Sequence, residues 1–119
     1  MKKFSNNTEL NIINLTPHDI HLCDESGKVI KTFEKTGNIE RAEVEYTDDI
    51  VLTDIITIKK VNYNKPDKSF ISDEKNENTY YIVSTIVKEY YKDRKDVLCP
   101  GNMVRDDEGN IKGCTFFTY

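Results

Sequence analysis

Residues 50–61 constrain this chain more than any other stretch. Ile55, Ile56, Thr57 and Ile58 crowd their centre. Side chains branched at Cβ lose rotamer freedom on a helix but pack well on a pleated surface. The run is therefore read as a strand, central in its sheet. Just upstream, Ile39-Glu40-Arg41-Ala42-Glu43-Val44-Glu45-Tyr46 alternates with the period of a strand. That period puts Ile39, Arg41, Glu43 and Glu45 on one face and Ala42, Val44 and Tyr46 on the other. This is a half-buried strand whose polar face carries Arg41.

The flanks repeat the pattern. Ile20-His21-Leu22-Cys23 and Val29-Ile30-Lys31-Thr32-Phe33 enclose the acidic turn Asp24-Glu25-Ser26-Gly27, which reads as a hairpin. Pro17 cannot donate to a ladder and marks a strand edge or a bulge. Near the other end, Pro100-Gly101 and Glu108-Gly109-Asn110 are turn signals, and Met103-Val104 pairs with Ile111 onward in a closing hairpin. Residues 62–78, rich in Lys, Asp, Asn and Glu around Pro66, form the longest loop, with a short ordered anchor at Phe70-Ile71.

One helix interrupts the strands. Ser84 suits an N-cap, and Val83, Ile86, Val87, Tyr90 and Tyr91 recur at helical spacing, predicting a helix over 84–93 with one buried face. Lys88, Lys92 and Arg94 complement its dipole near the C-terminal end. Residues 1–8 are polar and expected to fray. The whole reads as a single α+β domain over 1–119, a mostly antiparallel β-sheet with one principal helix late in the chain.

Composition narrows the function. A net charge of -4 argues against binding a nucleic-acid backbone, which needs a basic face. No run approaches the roughly 20 apolar residues of a membrane helix. Three cysteines, an odd number without a pairing motif, and no apolar signal segment at the start point to a reducing cytoplasm. Of the 17 basic side chains only Arg41, Arg94 and Arg105 are arginines, the residue suited to bidentate phosphate recognition.

Catalytic constellations are poorly represented. His18 and His21 point to opposite faces of a strand, and with Cys23 they make no convergent metal site; Cys99 and Cys114 complete no zinc spacing. Asp106, Asp107 and Glu108 are adjacent acids in a turn, usually just solvated. Neither a nucleophile elbow nor a phosphate-cradling glycine loop is present. Neither enzyme activity nor a cofactor is expected. A nucleotide-binding reading fares better, because bases stack on aromatic rings and phosphates pair with arginine. Tyr80, Tyr81, Tyr90 and Tyr91 supply rings, and Arg94 and Arg105 supply cations. Arg105, followed at once by Asp106 at the mouth of a tight turn, can present its guanidinium to a ligand while the carboxylate steadies it or accepts from a sugar hydroxyl. The alternatives are a solvated hairpin, and tyrosines packed in the core or against a second copy.

Asn14-Leu15-Thr16-Pro17-His18-Asp19-Ile20, Tyr81-Ile82-Val83-Ser84, Arg94, Pro100-Gly101, Val104-Arg105-Asp106, Gly109 and Gly113-Cys114 together resemble a family of small phage and prophage proteins. Within it the chain most resembles the first family of Thoeris anti-defence proteins. Those sequester the cyclic ADP-ribose isomers made by bacterial TIR immune enzymes without cleaving them. The resemblance covers most of the chain except residues 62–78. It implies that Val104, Arg105 and Asp106 form one wall of a ligand pocket and that Tyr81 supplies the stacking ring. Tyr91, at the helix end, would complete the site from a neighbouring protomer. Arg41 and Arg94 remain for the family's other ligand arginines. It further implies self-association to a dimer or hexamer, some members holding cyclic oligonucleotides at separate sites, and residence in the cytoplasm of the infected bacterial host. A small phage structural or interaction protein is the alternative, and a nucleotide-processing enzyme using the Asp106 region comes after it.

Overall fold

In a computed structural model, which describes residues 10–119, six strands form one mixed sheet and two more leave it as a separate arm. The strands are β1 (Asn11–Asn14), β2 (Ile20–Cys23), β3 (Val29–Phe33), β4 (Glu43–Thr53), β5 (Ile56–Asn64), β6 (Thr79–Ile82), β7 (Val97–Arg105) and β8 (Ile111–Thr118). The helix α1 (Thr85–Lys88) lies between β6 and β7 and tightens into a 3-10 turn, Glu89–Tyr91. The main sheet runs β1-β6-β7-β8-β2-β3, and β4 pairs only with β5. This is the expected α+β chain, rich in strand with a late helix. Antiparallel ladders carry most of the pairing, but β1-β6, β6-β7 and β2-β8 are parallel, so the main sheet is mixed.

Local chemistry explains the elements that match expectation. In the β2–β3 turn, Asp24 Oδ1 accepts from the amides of Ser26 and Lys28, each at 3.0 Å, and Gly27 takes a φ of 87°. Only glycine reaches that region without strain. The β7–β8 hairpin closes in the same way through Asp106 and Gly109. At the helix start Ser84 Oγ accepts from the Val87 amide at 3.4 Å. Packed between helix and sheet is the core of Leu15, Ile71, Tyr81, Val83, Val87, Tyr91, Val97 and Cys99.

Several expectations are corrected. Residues 50–61 are not one central strand. They reverse at Asp54, where Thr53 Oγ1 accepts from the amides of Ile55 and Ile56, and become the distal half of the β4–β5 arm. Branched side chains favour extended backbone but do not say whether it runs straight on or folds back. The strand expected from residue 39 begins only at Glu43, because the Glu40 amide is drawn to the Leu15 carbonyl. Asn62 and Asn64, assigned to the long loop, lie in β5, while the anchor at residue 71 is real: Ile71 is buried.

Pro100 and Gly101 do not turn the chain; both sit inside β7 opposite β8. Leu98 gives its carbonyl to Val83, so by strand parity Pro100 faces the same edge, beyond the end of β6, where no ladder needs its missing N–H. A Cβ on Gly101 would lie 2.6 Å from the Phe116 ring, so glycine is required by close approach. The helix is shorter than residues 84–93, and its buried face is Val83, Val87 and Tyr91, with Ile86 exposed. The fraying expected for residues 1–8 lies outside the described residues.

Candidate functional site

Glu40 organises the junction between the arm and the body. It is 3% exposed, and a buried carboxylate is costly unless donors surround it. Three do. The Tyr91 hydroxyl donates to Oε2 at 2.9 Å, the Ser69 hydroxyl donates to the same oxygen, and the Phe70 amide reaches Oε1 at 2.9 Å. Ser69 in turn accepts from the Ile71 amide. One carboxylate thus ties the helix end and the segment over 69–71 to the root of the arm. Burial raises the Tyr91 hydroxyl pKa, which keeps it a neutral donor.

With Glu40 turned in, the next residue is turned out. Arg41 is exposed and, among the described residues, carries no hydrogen bond or ion pair. It sits on the rim of two cavities. One, of about 250 Å³, is walled by Leu15, Ile39, Val44, Tyr63 and Ile86. The other, of about 410 Å³, is bounded by Ile39, Pro66, Asp67 and Lys68. A guanidinium shared by an apolar recess and a polar one, with Lys68 on the polar side, is an arrangement that suits an amphipathic anion. Tyr63, on the first wall, keeps 44% of its surface exposed.

The other expected site residues fall into two groups. Tyr81, Tyr91 and Arg94 come together around residues 69–72. Tyr81 is only 7% exposed, which leaves its ring closed to a stacking base, and its hydroxyl accepts from the Ser72 amide. Arg94 grips Asp96 with both arms of its fork, Nε to Oδ1 at 2.8 Å and Nη2 to Oδ2 at 2.7 Å. Nη2 also donates to the Ser72 carbonyl. The pair holds the Asp96 carboxyl below its ordinary pKa and pushes that of Arg94 up.

Val104, Arg105 and Asp106 lie apart from these, at the end of the β7–β8 hairpin. Arg105 Nη1 donates to the Gly109 carbonyl at 2.8 Å, and Asp106 Oδ1 accepts from the amides of Glu108 and Asn110. Both side chains therefore shape their own turn, leaving the remaining Arg105 donors exposed. Val104 is half-buried, 3.6 Å from where a Cβ of Gly27 would stand.

Lys88 Nζ donates to the Tyr91 and Arg94 carbonyls at the helix end, and burial draws its pKa down. Burial pushes the Cys99 and Cys114 thiols up, away from the nucleophilic thiolate. His21 Nδ1 meets Thr32 Oγ1 at 2.8 Å, and no three His, Cys, Asp or Glu side chains gather around a point among the described residues. No helix there is long and apolar enough to cross a membrane. Compared with family models, curated proteins and solved structures, the chain matches none.

Sequence reasoning missed Glu40, Ser69 and Tyr63. One signal was available for Glu40: strand parity puts it on the face of Ala42, Val44 and Tyr46, where a carboxylate must find donors. Beyond the Ile71 amide, the partners of Ser69 lie 22 and 29 residues away, out of reach of a local reading.

Proposed function

We propose that the chain binds and sequesters a cyclic ADP-ribose-type signalling nucleotide without cleaving it, as a phage product countering a bacterial immune system in the host cytoplasm. The observation that carries this reading is Arg41, an exposed cation without a partner among the described residues, standing between two cavities. A guanidinium there can take a pyrophosphate bidentately. The apolar recess beside it, with the exposed Tyr63 ring, suits a base. Arg105 keeps donors for a second phosphate contact if a neighbouring protomer brings its hairpin close. Arg94 and Tyr81 support the site from behind, one fixing Asp96 and the other packing in the core. Beside Arg41, the Glu40 carboxylate is taken up by the Tyr91, Ser69 and Phe70 donors and does not compete for the guanidinium.

The test is thermal unfolding against a panel of cyclic ADP-ribose isomers and cyclic oligonucleotides. A ligand at a hundred times its dissociation constant stabilises by about 2.7 kcal/mol, several degrees for a domain of this size. Heating the complex should return the ligand intact. Arg41→Ala should weaken binding about 10- to 100-fold while leaving the free protein's melting temperature in place. An altered ligand after heating would replace this reading with an enzymatic one. No shift with any member would favour the second reading, a protein-interaction role, for which the specific observation is the apolar surface of the β4–β5 arm.

A further inference from the structure

A third cavity, of about 350 Å³, opens between the start of β2 and the β7–β8 hairpin. Among the described residues it shares none with the two cavities beside Arg41. Its volume falls in the range of small-molecule sites. Leu22 pairs with Cys114 in parallel register, and the neighbouring position must be glycine for the strands to come so close. A Cβ on Gly113 would run into the His21 carbonyl oxygen and lie 2.7 Å from the Cys23 Sγ. The missing side chain lets β2 close on β8 and form the cavity wall.

A bulge shapes the opposite side. Val104 pairs with Gly113 and Arg105 with Ile111, so Lys112 has no partner across the hairpin. Regular alternation would send Ile111 and Lys112 to opposite faces of β8. Instead both line the cavity, and re-aiming a side chain is what a bulge does beside a binding site. Ile111 and Met103 are 58% and 46% exposed, and Ile20 and Pro100 complete the apolar wall. The polar groups divide into engaged and free. Asp19, the one acid among the described lining residues, accepts from the Lys35 amide at 2.9 Å, and His21 Nδ1 is taken by Thr32. Among the described residues, neither the His18 ring nor the Lys112 ammonium has a hydrogen-bond or ion-pair partner.

We propose that this cavity binds a small aliphatic carboxylate, its alkyl chain along Ile20, Pro100, Met103 and Ile111 and its head group at Lys112 and His18. The chain takes the open surfaces of Met103 and Ile111 out of water, which is the apolar gain. The carboxylate gives the free ammonium and imidazole an acceptor, and its single charge balances that of Lys112. The described lining holds no arginine fork to favour a phosphate. Nor does it hold an aromatic ring for a base to stack on, whereas the flexible thioether of Met103 adapts to an alkyl chain. Site and ligand class both differ from those at Arg41, so the proposal does not depend on the nucleotide reading.

Titration of the isotope-labelled full chain with octanoate, followed through its amide resonances, tests this. Octanoate should saturate, with the largest shifts at residues 18–21 and 111–114. Octanol, the same chain without the charge, should bind at least about 10-fold more weakly. Lys112→Gln, at an exposed position, should weaken octanoate at least about 10-fold and leave octanol affinity in place. Met103→Trp should fill the cavity and weaken both ligands, with an unchanged circular dichroism spectrum. No saturation with octanoate below about 10 mM overturns the proposal. So does equal affinity for octanol, or a Lys112→Gln variant that binds octanoate as the wild type does. Shifts confined to residues 43–64 overturn it as well, and assign the alkyl chain to the apolar arm.

Discussion

The main sheet and the β4–β5 arm are made from the same kinds of residue and end in opposite surroundings. Val97 in β7 has no exposed surface, while Ile55 at the arm's turn is 92% exposed. Both side chains are branched at Cβ, and both segments are strands or join them. The difference comes from what lies over them. One face of the main sheet is covered by α1, the 3-10 turn and the segment anchored by Ile71, whereas the arm, beyond the Val44–Tyr63 pair that borders the cavity against Leu15 and Ile86, pairs only within itself. Propensity decides that backbone is extended; only a second layer decides that it is buried.

That contrast can be broken at several points. The largest effect is expected in the core. Ile82→Ala should cost about 2–5 kcal/mol of unfolding free energy in urea titrations, against less than about 1 kcal/mol for Ile56→Ala measured on the monomer. Equal losses would mean that the arm is buried in the single chain after all.

Glu40→Ala should cost about 2–4 kcal/mol, because Tyr91, Ser69 and Phe70 would all lose a buried acceptor. Hydrogen exchange should then speed up at residues 69–71 before it does in β6. Protection that stays uniform would deny Glu40 its role as the tie between arm and body.

Asp96→Asn should cost about 1–3 kcal/mol and change the acid response. The folded-state pKa of Asp96 lies below 3.8, so its stabilisation is complete above that pH and is lost as pH falls through the lower folded value. Wild-type urea midpoints should drop on acidification below about pH 4, and the variant's should drop less. Identical pH profiles would show that the Arg94 pair does not stabilise the fold.

Gly109→Ala, at a φ of 85°, should cost about 1 kcal/mol in thermal melts by straining the β7–β8 turn. The smallest effect belongs to the arm's tip: Ile55→Ser should leave monomer stability within about 0.5 kcal/mol. A larger loss there would place Ile55 against the body.

Legibility followed the range of the interactions. Both outer hairpins, the Ser84 cap and the single late helix rest on contacts a few residues apart, and each could be read from its own neighbourhood. The fold-back at Asp54 was less legible because Thr53 is a weak turn signal beside a strong strand signal. Of the candidate site, Arg41 was read as outward-facing and is exposed, but it precedes β4 and does not lie on a strand face. Tyr81 and Arg94 were read as open to a ligand, yet the core closes on the first and Asp96 on the second. Nothing near Arg94 distinguishes a guanidinium facing solvent from one turned onto a carboxylate two residues on.

By itself the sequence determined a chain that must be mostly strand, with one late capped helix and turns at Gly27 and Gly109. Backbone sterics and side-chain branching act within a few residues and need no tertiary partner. Tertiary structure alone decided that β1, β6 and β7 run parallel, that Glu40 is buried among three donors, and that the most strand-like run stands outside the core. Each of those outcomes depends on which distant segment arrives to cover a face or supply a hydrogen bond, and no local pattern encodes that.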